Sequence, residues 1–186
     1  MIRFEHVTFG YALQRPVLRD FSMTVPEGGR VCLTGPSGEG KTTALRLLLG
    51  LEKPRKGTVS VPEGVRFSAV FQENRLLPWK TVLENAALFS DEESARRILT
   101  TLGLGDNLDA LPETLSGGMK RRAALGRALA HPFDVLVLDE ALTGLDGETK
   151  RRCLAAIDEA VGRRTLVLAT HDAGEARALG AETVTL

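Results

Sequence analysis

The sequence has 186 residues, of which 43% are hydrophobic and 26% are charged, as is ordinary for a soluble globular chain with one large domain. Because 24 basic and 24 acidic side chains cancel, no overall field favours nucleic acid or an anionic membrane as a partner. No apolar run approaches the roughly eighteen residues that span a bilayer, and the N-terminus lacks the form of a signal peptide, so we expect a cytoplasmic protein.

The first part of the chain has the pattern of an antiparallel β layer. Residues 2–9 and 17–25 are patterned as strands, and a turn over residues 26–29 follows them. Tyr11 lies in the loop between the two strands. Its ring can stack on a purine base, and packing at the end of a strand explains an aromatic residue there equally well.

A glycine-rich segment then joins a short apolar strand, residues 31–33, to a segment with leucines at helical spacing. Gly35, Gly40, Lys41 and Thr42 complete the pattern G-x-x-x-x-G-K-[ST]. In this pattern, backbone N–H groups at a helix start hold phosphate oxygens, the lysine reaches the β- and γ-phosphates, and the hydroxyl binds Mg²⁺. We therefore predict a phosphate-binding loop rather than a glycine turn that only links two elements.

Two further strands are predicted after the first helix, at residues 58–61 and 65–71. A helical insert is predicted to follow them, with helices at residues 82–89, 91–102 and 120–130. Gln72 follows the second strand, where a parallel strand opens onto a ligand crevice. The last helix follows the run Leu-Ser-Gly-Gly-Met at residues 115–119, and a serine with two glycines at a helix start is a second candidate anion site.

The remainder of the chain alternates strands and helices. The predicted elements are a strand at 134–138, a helix at 147–161, a strand at 165–169, a helix at 172–179 and a strand at 183–186. Asp139 and Glu140 follow the first of these strands, where carboxylates are placed to bind Mg²⁺ near a terminal phosphate. His171 follows the next strand. Taken singly, Glu140 is also typical of a carboxylate at the start of a helix, and His171 is also typical of a residue beside a helix N-cap.

The order of these motifs resembles that of the ATP-binding cassette (ABC) ATPases, and the resemblance covers nearly the whole chain. It rests on the phosphate loop, Gln72, the Leu-Ser-Gly-Gly run, the Asp139-Glu140 pair and His171. The resemblance implies an α/β P-loop NTPase fold with a mixed, mainly parallel sheet, an N-terminal antiparallel β layer and a small inserted helical subdomain. Residues 1–186 would form a single ABC ATPase domain, with its core at about 1–75 and 131–186 and the helical subdomain at about 76–130.

The resemblance also implies a role for each motif. Glu140 would be the general base, Gln72 would touch Mg²⁺ and the attacking water, and His171 would contact the γ-phosphate. The implied catalytic residues are Glu140, His171, Gln72 and Lys41, and the implied metal-binding residues are Thr42, Gln72 and Asp139. The implied nucleotide-binding residues are Tyr11, Gly35, Pro36, Ser37, Gly38, Glu39, Gly40, Lys41, Thr42, Thr43, Ser116, Gly117, Gly118 and Met119.

A member of this family would be the ATP-hydrolysing subunit of a transporter, and we expect a bacterial importer with ATP and Mg²⁺ as its cofactors. Its active form would be a homodimer, or a pair with another ABC subunit, that encloses ATP between the phosphate loop of one subunit and residues 116–119 of the other. Integral membrane permease subunits would be its partners at the inner face of the cell membrane, and no nucleic acid is expected. The alternatives are a non-transport ABC ATPase and a nucleotide-binding module with little turnover.

Two features set this chain apart within the resemblance. Met119 stands where the commonest signature has glutamine, so we expect an altered affinity or rate. The sequence ends soon after His171, whereas typical importer ATPases continue further, so we expect no C-terminal regulatory domain.

Residues 71–79 are similar to the same segment of ATPases that serve nitrate, taurine and aliphatic sulfonate importers. Within that segment, Trp79 would either line a groove for a permease or, by default, pack inside the helical subdomain.

Overall fold

Eight β-strands and six α-helices are present in the computed structural model, which describes residues 1–12 and 15–186. The strands are β1 (Ile2–Phe9), β2 (Leu18–Val25), β3 (Arg30–Thr34), β4 (Lys56–Ser60), β5 (Phe67–Val70), β6 (Val135–Asp139), β7 (Thr165–Ala169) and β8 (Glu182–Thr185). The helices are α1 (Lys41–Leu48), α2 (Val82–Ala86), α3 (Glu92–Thr101), α4 (Gly117–Ala130), α5 (Gly147–Val161) and α6 (Ala173–Ala178). Short 3₁₀ helices occupy Ala87–Phe89, Gly105–Asn107 and Pro112–Thr114.

The chain is divided into two units. The sheet unit comprises Met1–Phe67, Asp134–Asp139 and Arg163–Leu186, and the helical unit comprises Ser68–Phe133 and Glu140–Gly162. Residues 68–75, 131–133 and 140–162, which the sequence analysis placed in the core, lie in the helical unit. None of the described helices is long and apolar enough to cross a membrane.

The predicted antiparallel layer of the sheet unit is a three-stranded sheet in the order β2-β1-β4. Along β1, Phe4 and Val7 are both buried although they are three residues apart, which a regular strand of period two does not allow. A register shift lies between them, and His6 there has a left-handed backbone with a φ of 52°. This bulge returns the second half of β1 to the buried face.

The same bulge requires a glycine on the neighbouring strand. Gly57 of β4 has a φ of 77°, and a Cβ atom there would lie 2.3 Å from the carbonyl oxygens of Glu5 and His6. Both obstacles are backbone atoms, so they cannot move aside as the end of a long side chain can. The close approach of β4 to the bulge therefore depends on Gly57.

The other sheet carries the strands β6, β7, β3 and β8 side by side in this order, and each neighbouring pair is parallel. All five residues of β6 and all five of β7 are buried, which explains why these strands are continuous apolar runs in the sequence. Helix α1 packs against β6 and β7 and buries Leu45, Leu47 and Leu48. The mainly parallel sheet and the antiparallel layer predicted from the sequence are both confirmed.

The helical unit has a core of its own. Buried residues of α2, α3 and α4 and of the intervening loops form one apolar cluster, which is Val82, Leu83, Ala86, Ala95, Leu99, Leu104, Leu108, Leu115 and Ala123. Helices α3 and α4 approach each other closely at Gly126, where a Cβ atom would lie 2.7 Å from Cδ2 of Leu99. One polar side chain, Asn85 of α2, lies among these apolar residues with an exposure of 0%.

Candidate functional site

The phosphate loop follows β3 directly and leads into α1. Three of its glycines, Gly35, Gly38 and Gly40, have φ angles of 140°, 89° and 106°, which other residues rarely adopt. Gly40 is the N-cap of α1 and has no side chain to cap the first N–H groups of the helix. These N–H groups, together with the positive end of the helix, form the kind of concavity that binds phosphate.

The lysine of the loop is buried and held in place. Lys41 is 8% exposed, and its Nζ donates hydrogen bonds to the carbonyl oxygens of Gly35 at 2.7 Å and Pro36 at 2.9 Å. Thr42 is exposed at the start of α1, whereas Thr43 faces the interior and is 5% exposed. The four residues before Gly40, at positions 36–39, are exposed. The loop therefore presents the cation of Lys41, the exposed hydroxyls of Ser37 and Thr42 and several backbone donors at the same end of the sheet.

The strand register brings two more predicted residues to this edge of the sheet unit. Leu33 of β3 pairs with Ala169 of β7, and Ala169 pairs with Asp139 of β6, so these three residues lie level across the sheet. Asp139 is 2% exposed. His171 is exposed and lies two residues beyond Ala169, just as the phosphate loop lies beyond Leu33. With parallel strands about 4.8 Å apart, Asp139 is about 10 Å from β3 across the sheet.

This edge of the sheet unit has the chemistry that a nucleoside triphosphate and Mg²⁺ require. The glycine loop supplies backbone N–H donors, and Lys41 supplies a positive charge for phosphate oxygens. The hydroxyl of Thr42 and the carboxylate of Asp139 are oxygen donors, the type of ligand that Mg²⁺ takes together with water and phosphate oxygens. The residues present therefore fit both groups.

Tyr11 is the predicted partner of a purine ring. It is 62% exposed, and its ring packs edge-on against Phe9 at a centroid distance of 5.2 Å. This contact with Phe9 covers one side of the Tyr11 ring. The remaining exposed surface of the ring leaves it available for stacking on a base.

In the helical unit, the Leu-Ser-Gly-Gly-Met run forms the start of α4. Ser116 is the N-cap, and its Oγ accepts a hydrogen bond from the backbone N–H of Met119 at 3.2 Å. Ser116 and Gly117 are exposed, and a Cβ atom added to Gly117 would meet nothing within 4 Å. The side chain of Met119 instead packs against the apolar cluster of the unit. The accessible surface of this run is therefore the serine and the glycine backbone.

Gln72 and Glu140 are brought together in the helical unit by an arginine. Arg121 of α4 donates from Nη1 to the carbonyl oxygen of Glu140 at 2.8 Å and from Nη2 to that of Gln72 at 3.2 Å. Glu140 directly follows Asp139 along the chain and has a left-handed backbone, with a φ of 49°. Its Oε2 accepts a hydrogen bond from the hydroxyl of Thr143 at 2.9 Å.

Two residues that organise this unit, Arg121 and Asn85, were not predicted from the sequence, and the default expectation for Trp79 is wrong. Arg121 bridges segments far apart in the chain, so no local pattern could reveal it. Asn85 could have been recognised from the sequence, because a side-chain amide on the apolar face of a predicted helix is buried and requires hydrogen-bond partners. Packing of Trp79 inside the helical subdomain was the default expectation and is wrong, because Trp79 is 71% exposed.

Comparison with known proteins places the chain in a family. Residues 18–143 match the protein family described as ABC transporter. An aliphatic sulfonates import ATP-binding protein of Paracoccus denitrificans is 43% identical over an alignment of 170 residues that covers 87% of this chain and 69% of that protein. A protein with the same description from Granulibacter bethesdensis is 40% identical over an alignment of 187 residues that covers 97% of this chain and 76% of that protein. The chain belongs to the ABC transporter family.

Solved structures confirm the fold. A dimeric ATP-binding cassette in a post-hydrolysis state, bound to ADP and Pi, has a TM-score of 0.89 at 27% identity and covers all of this chain and 94% of its own. A bacterial Atm1-family ABC exporter with ATP bound has a TM-score of 0.88 at 25% identity and covers all of this chain and 36% of its own.

Proposed function

We propose that this chain is the ATP-hydrolysing subunit of a bacterial ABC importer in the subgroup that serves nitrate, taurine and aliphatic sulfonates. The observation that carries the proposal is the level register of β6, β7 and β3, which gathers Asp139, His171 and the phosphate loop at one edge of the sheet. Relatives named as import ATP-binding proteins, at about 40% identity over most of the chain, support import rather than export.

The phosphate loop and its neighbours would bind the triphosphate. Backbone N–H groups of residues 35–43 would hold the phosphate oxygens, and Lys41 would exchange its carbonyl partners for the β- and γ-phosphates. Thr42 would bind Mg²⁺ directly and Asp139 through water, and Gln72 would be the third metal-binding residue that the family resemblance implies. Bound there, Mg²⁺ would neutralise charge on the β- and γ-phosphates. Tyr11 would stack on the adenine ring.

Hydrolysis would require a positioned water, and this chain offers a base for it. Glu140 would take the proton of the water as its oxygen attacks the γ-phosphorus, and Gln72 would orient the same water. His171 would contact the γ-phosphate from the end of β7, and Lys41 would stabilise the negative charge on the transferring group. The hydrogen bond from Thr143 to Glu140 Oε2 holds the carboxylate in one orientation.

The active form would be a dimer in which each site is shared. Ser116, Gly117 and Gly118 begin α4 with accessible backbone donors and without an acidic residue in the first turn, as an anion-binding helix start requires. Together with Met119, they would reach the γ-phosphate held by the other subunit. A dimeric cassette among the structural neighbours supports this arrangement. ATP binding would close the dimer, and loss of the γ-phosphate contacts would reopen it.

Permease subunits at the inner face of the cell membrane would convert dimer closure into transport. The helical unit offers a surface for them at Trp79, whose side chain is exposed although its loop is fixed by hydrogen bonds with the side chain of Asn85. A rigid loop that carries an exposed indole is typical of a protein contact site, because little entropy is lost on binding.

The proposal is tested by phosphate release with ATP and Mg²⁺. We expect steady release from the wild type, a loss of at least about a hundredfold for Glu140→Gln with nucleotide binding retained, and loss of binding for Lys41→Ala. Glu159→Gln, which removes an exposed carboxylate at the end of α5 in the same unit, is the matched control and should release phosphate as the wild type does. Equal rates near background for the wild type and Glu140→Gln would contradict the enzyme and favour a binding module with little turnover.

Membrane partners are tested separately. Tagged protein recovered from gently solubilised native membranes should carry a multi-spanning permease, and the identity of that permease would name the substrate class. If only ribosomal or DNA-repair proteins accompany the chain, the importer is excluded in favour of a non-transport ABC ATPase.

A further inference from the structure

Arginines of α4 hold the backbone segments that carry Gln72 and Glu140. Arg121 donates to the carbonyl oxygens of both residues, at 3.2 Å and 2.8 Å. Arg127, two turns further along the helix, donates from Nη1 to the carbonyl of Arg75 at 2.8 Å and from Nη2 to that of Asn74 at 3.2 Å. A guanidinium group presents its N–H groups in a fixed planar fork, so two carbonyls bound to one guanidinium are held at a set separation.

These contacts coincide with backbone conformations that need support. Among the described residues of the helical unit, the non-glycine residues with a positive φ are Arg75, at 46°, and Glu140, at 49°. A residue with a side chain in this region is strained by about 1 kcal/mol or more relative to its usual conformations. The carbonyl of each accepts a charge-assisted hydrogen bond from an arginine of α4. Arg121 therefore stabilises the conformation that directs the side chain of Glu140.

We propose that Arg121 is a positioning residue of the ATPase site, which aligns Gln72 and Glu140 on one water by holding their carbonyls at a fixed separation. The inference rests on the proposed roles of those two residues and assigns Arg121 no contact with the nucleotide. Arg121 lies on the second turn of α4, and the Ser-Gly-Gly run supplies the N-cap and the first two residues of that helix. A contact made at Ser116 in a closed dimer therefore acts on the same short helix that fixes the water-handling residues.

Arg122 provides a matched control. It is the next residue of the same helix, and its Nη1 donates to two backbone carbonyls, those of Leu102 and Gly103, both at 2.9 Å. These carbonyls lie at the end of α3 and belong to neither proposed water-handling residue. Each of the variants Arg122→Ala and Arg121→Ala thus removes two hydrogen bonds from an arginine of α4 to backbone carbonyls. Only Arg121→Ala releases Gln72 and Glu140.

The experiment compares full-length wild type, Arg121→Ala, Arg121→Lys and Arg122→Ala with ATP and Mg²⁺. For Arg121→Ala we expect kcat to fall about tenfold or more with KM within about twofold, because misplaced reacting groups slow the chemical step without weakening binding. Arg121→Lys should recover part of the loss, since an ammonium can hold one carbonyl but not the planar pair. Arg122→Ala should lower the melting temperature and leave kcat within about twofold of the wild type.

A wild-type kcat in Arg121→Ala, a rise in KM alone, or an equal loss of kcat in Arg122→Ala would overturn the proposal. If Arg121→Ala does not fold, Arg121→Lys decides in its place, and an unchanged kcat overturns the proposal.

Hydrogen–deuterium exchange distinguishes failure of this inference from failure of the proposed function. Arg121→Ala should speed exchange in residues 72–75 and 140–143 together, and Arg122→Ala should leave both segments unchanged. Unchanged exchange in Arg121→Ala would overturn the proposal whatever the activity. A wild type that releases no phosphate would contradict the proposed function and the kinetic role of Arg121, while faster exchange in both segments would still establish that Arg121 holds them.

Discussion

Asn85 is the residue whose replacement should most clearly destabilise the helical unit. It is 0% exposed and makes four hydrogen bonds to the backbone of the loop that carries Trp79. Its Oδ1 accepts from the N–H of Leu77 at 2.8 Å, and its Nδ2 donates to the carbonyls of Leu77, Lys80 and Thr81 at 2.9 to 3.1 Å. One buried amide thus replaces the secondary structure that this loop lacks.

The magnitude follows from the groups that the substitution leaves unpaired. In Asn85→Ala the half-buried N–H of Leu77 loses its acceptor, at a cost of about 1 kcal/mol, and the two N–H groups of the amide lose about 1 kcal/mol each in net hydrogen bonding. We therefore expect a loss of about 3 kcal/mol in the free energy of unfolding. For a chain of this length the melting temperature should fall by about 10 °C.

Urea unfolding followed by circular dichroism measures this loss, and Asn107→Ala serves as its control. Asn107 is half-buried, and its side chain makes no hydrogen bond within the described part of the chain, so its loss should stay below about 0.5 kcal/mol. Limited trypsin digestion gives a local measure, because a loosened loop should be cut after Lys80 sooner in Asn85→Ala than in the wild type. A loss under about 1 kcal/mol, or equal losses in both variants, would refute the reasoning.

Three further predictions concern other parts of the chain. Gly57→Ala should destabilise the protein by about 2 kcal/mol or more in urea unfolding, because its Cβ would meet backbone atoms at 2.3 Å, and a smaller loss would mean that β4 can shift. The hydrogen bonds from Arg66 hold the pKa of Asp134 at about 2, below its usual value of 3.8. This stabilisation is present above about pH 4 and is lost as the pH falls towards 2, so thermal unfolding of Asp134→Asn should differ from the wild type at pH 7 and converge with it near pH 2. Trp79→Ala should reduce recovery of permease subunits without changing the melting temperature, and full recovery would place the contact elsewhere.

Elements with local signals were predicted well from the sequence. Helix α5 was predicted at residues 147–161 and occupies Gly147–Val161, since Asp146 caps its start with hydrogen bonds to the N–H groups of Glu148 and Thr149 and Gly162 ends it. Helix α4 was predicted to begin near Lys120 but begins at Gly117. Low helix propensity argues against two glycines in a first turn, and the cap formed by Ser116 outweighs that preference.

The candidate site was predictable only in part, for a physical reason. Motif spacing places Lys41, Asp139 and His171 beside particular strands, and the parallel register then brings them to one edge. The separation of Gln72 and Glu140 depends instead on the guanidinium of Arg121, whose two acceptors come from distant parts of the sequence. Contacts of that kind leave no trace in periodicity or composition.

The position of β3 between β7 and β8 has a consequence for synthesis on the ribosome. Leu33, near the end of β3, pairs with Ala169 of β7 on one side and with Val184 of β8 on the other. The strand that leads into the phosphate loop is therefore synthesised early, but it can pair only after β7 and β8 have been synthesised. A nascent chain that has not yet reached residue 165 contains neither neighbour of β3, and closing such long loops slows folding. The part of the sheet that positions the phosphate loop is therefore complete only after both later strands have been synthesised.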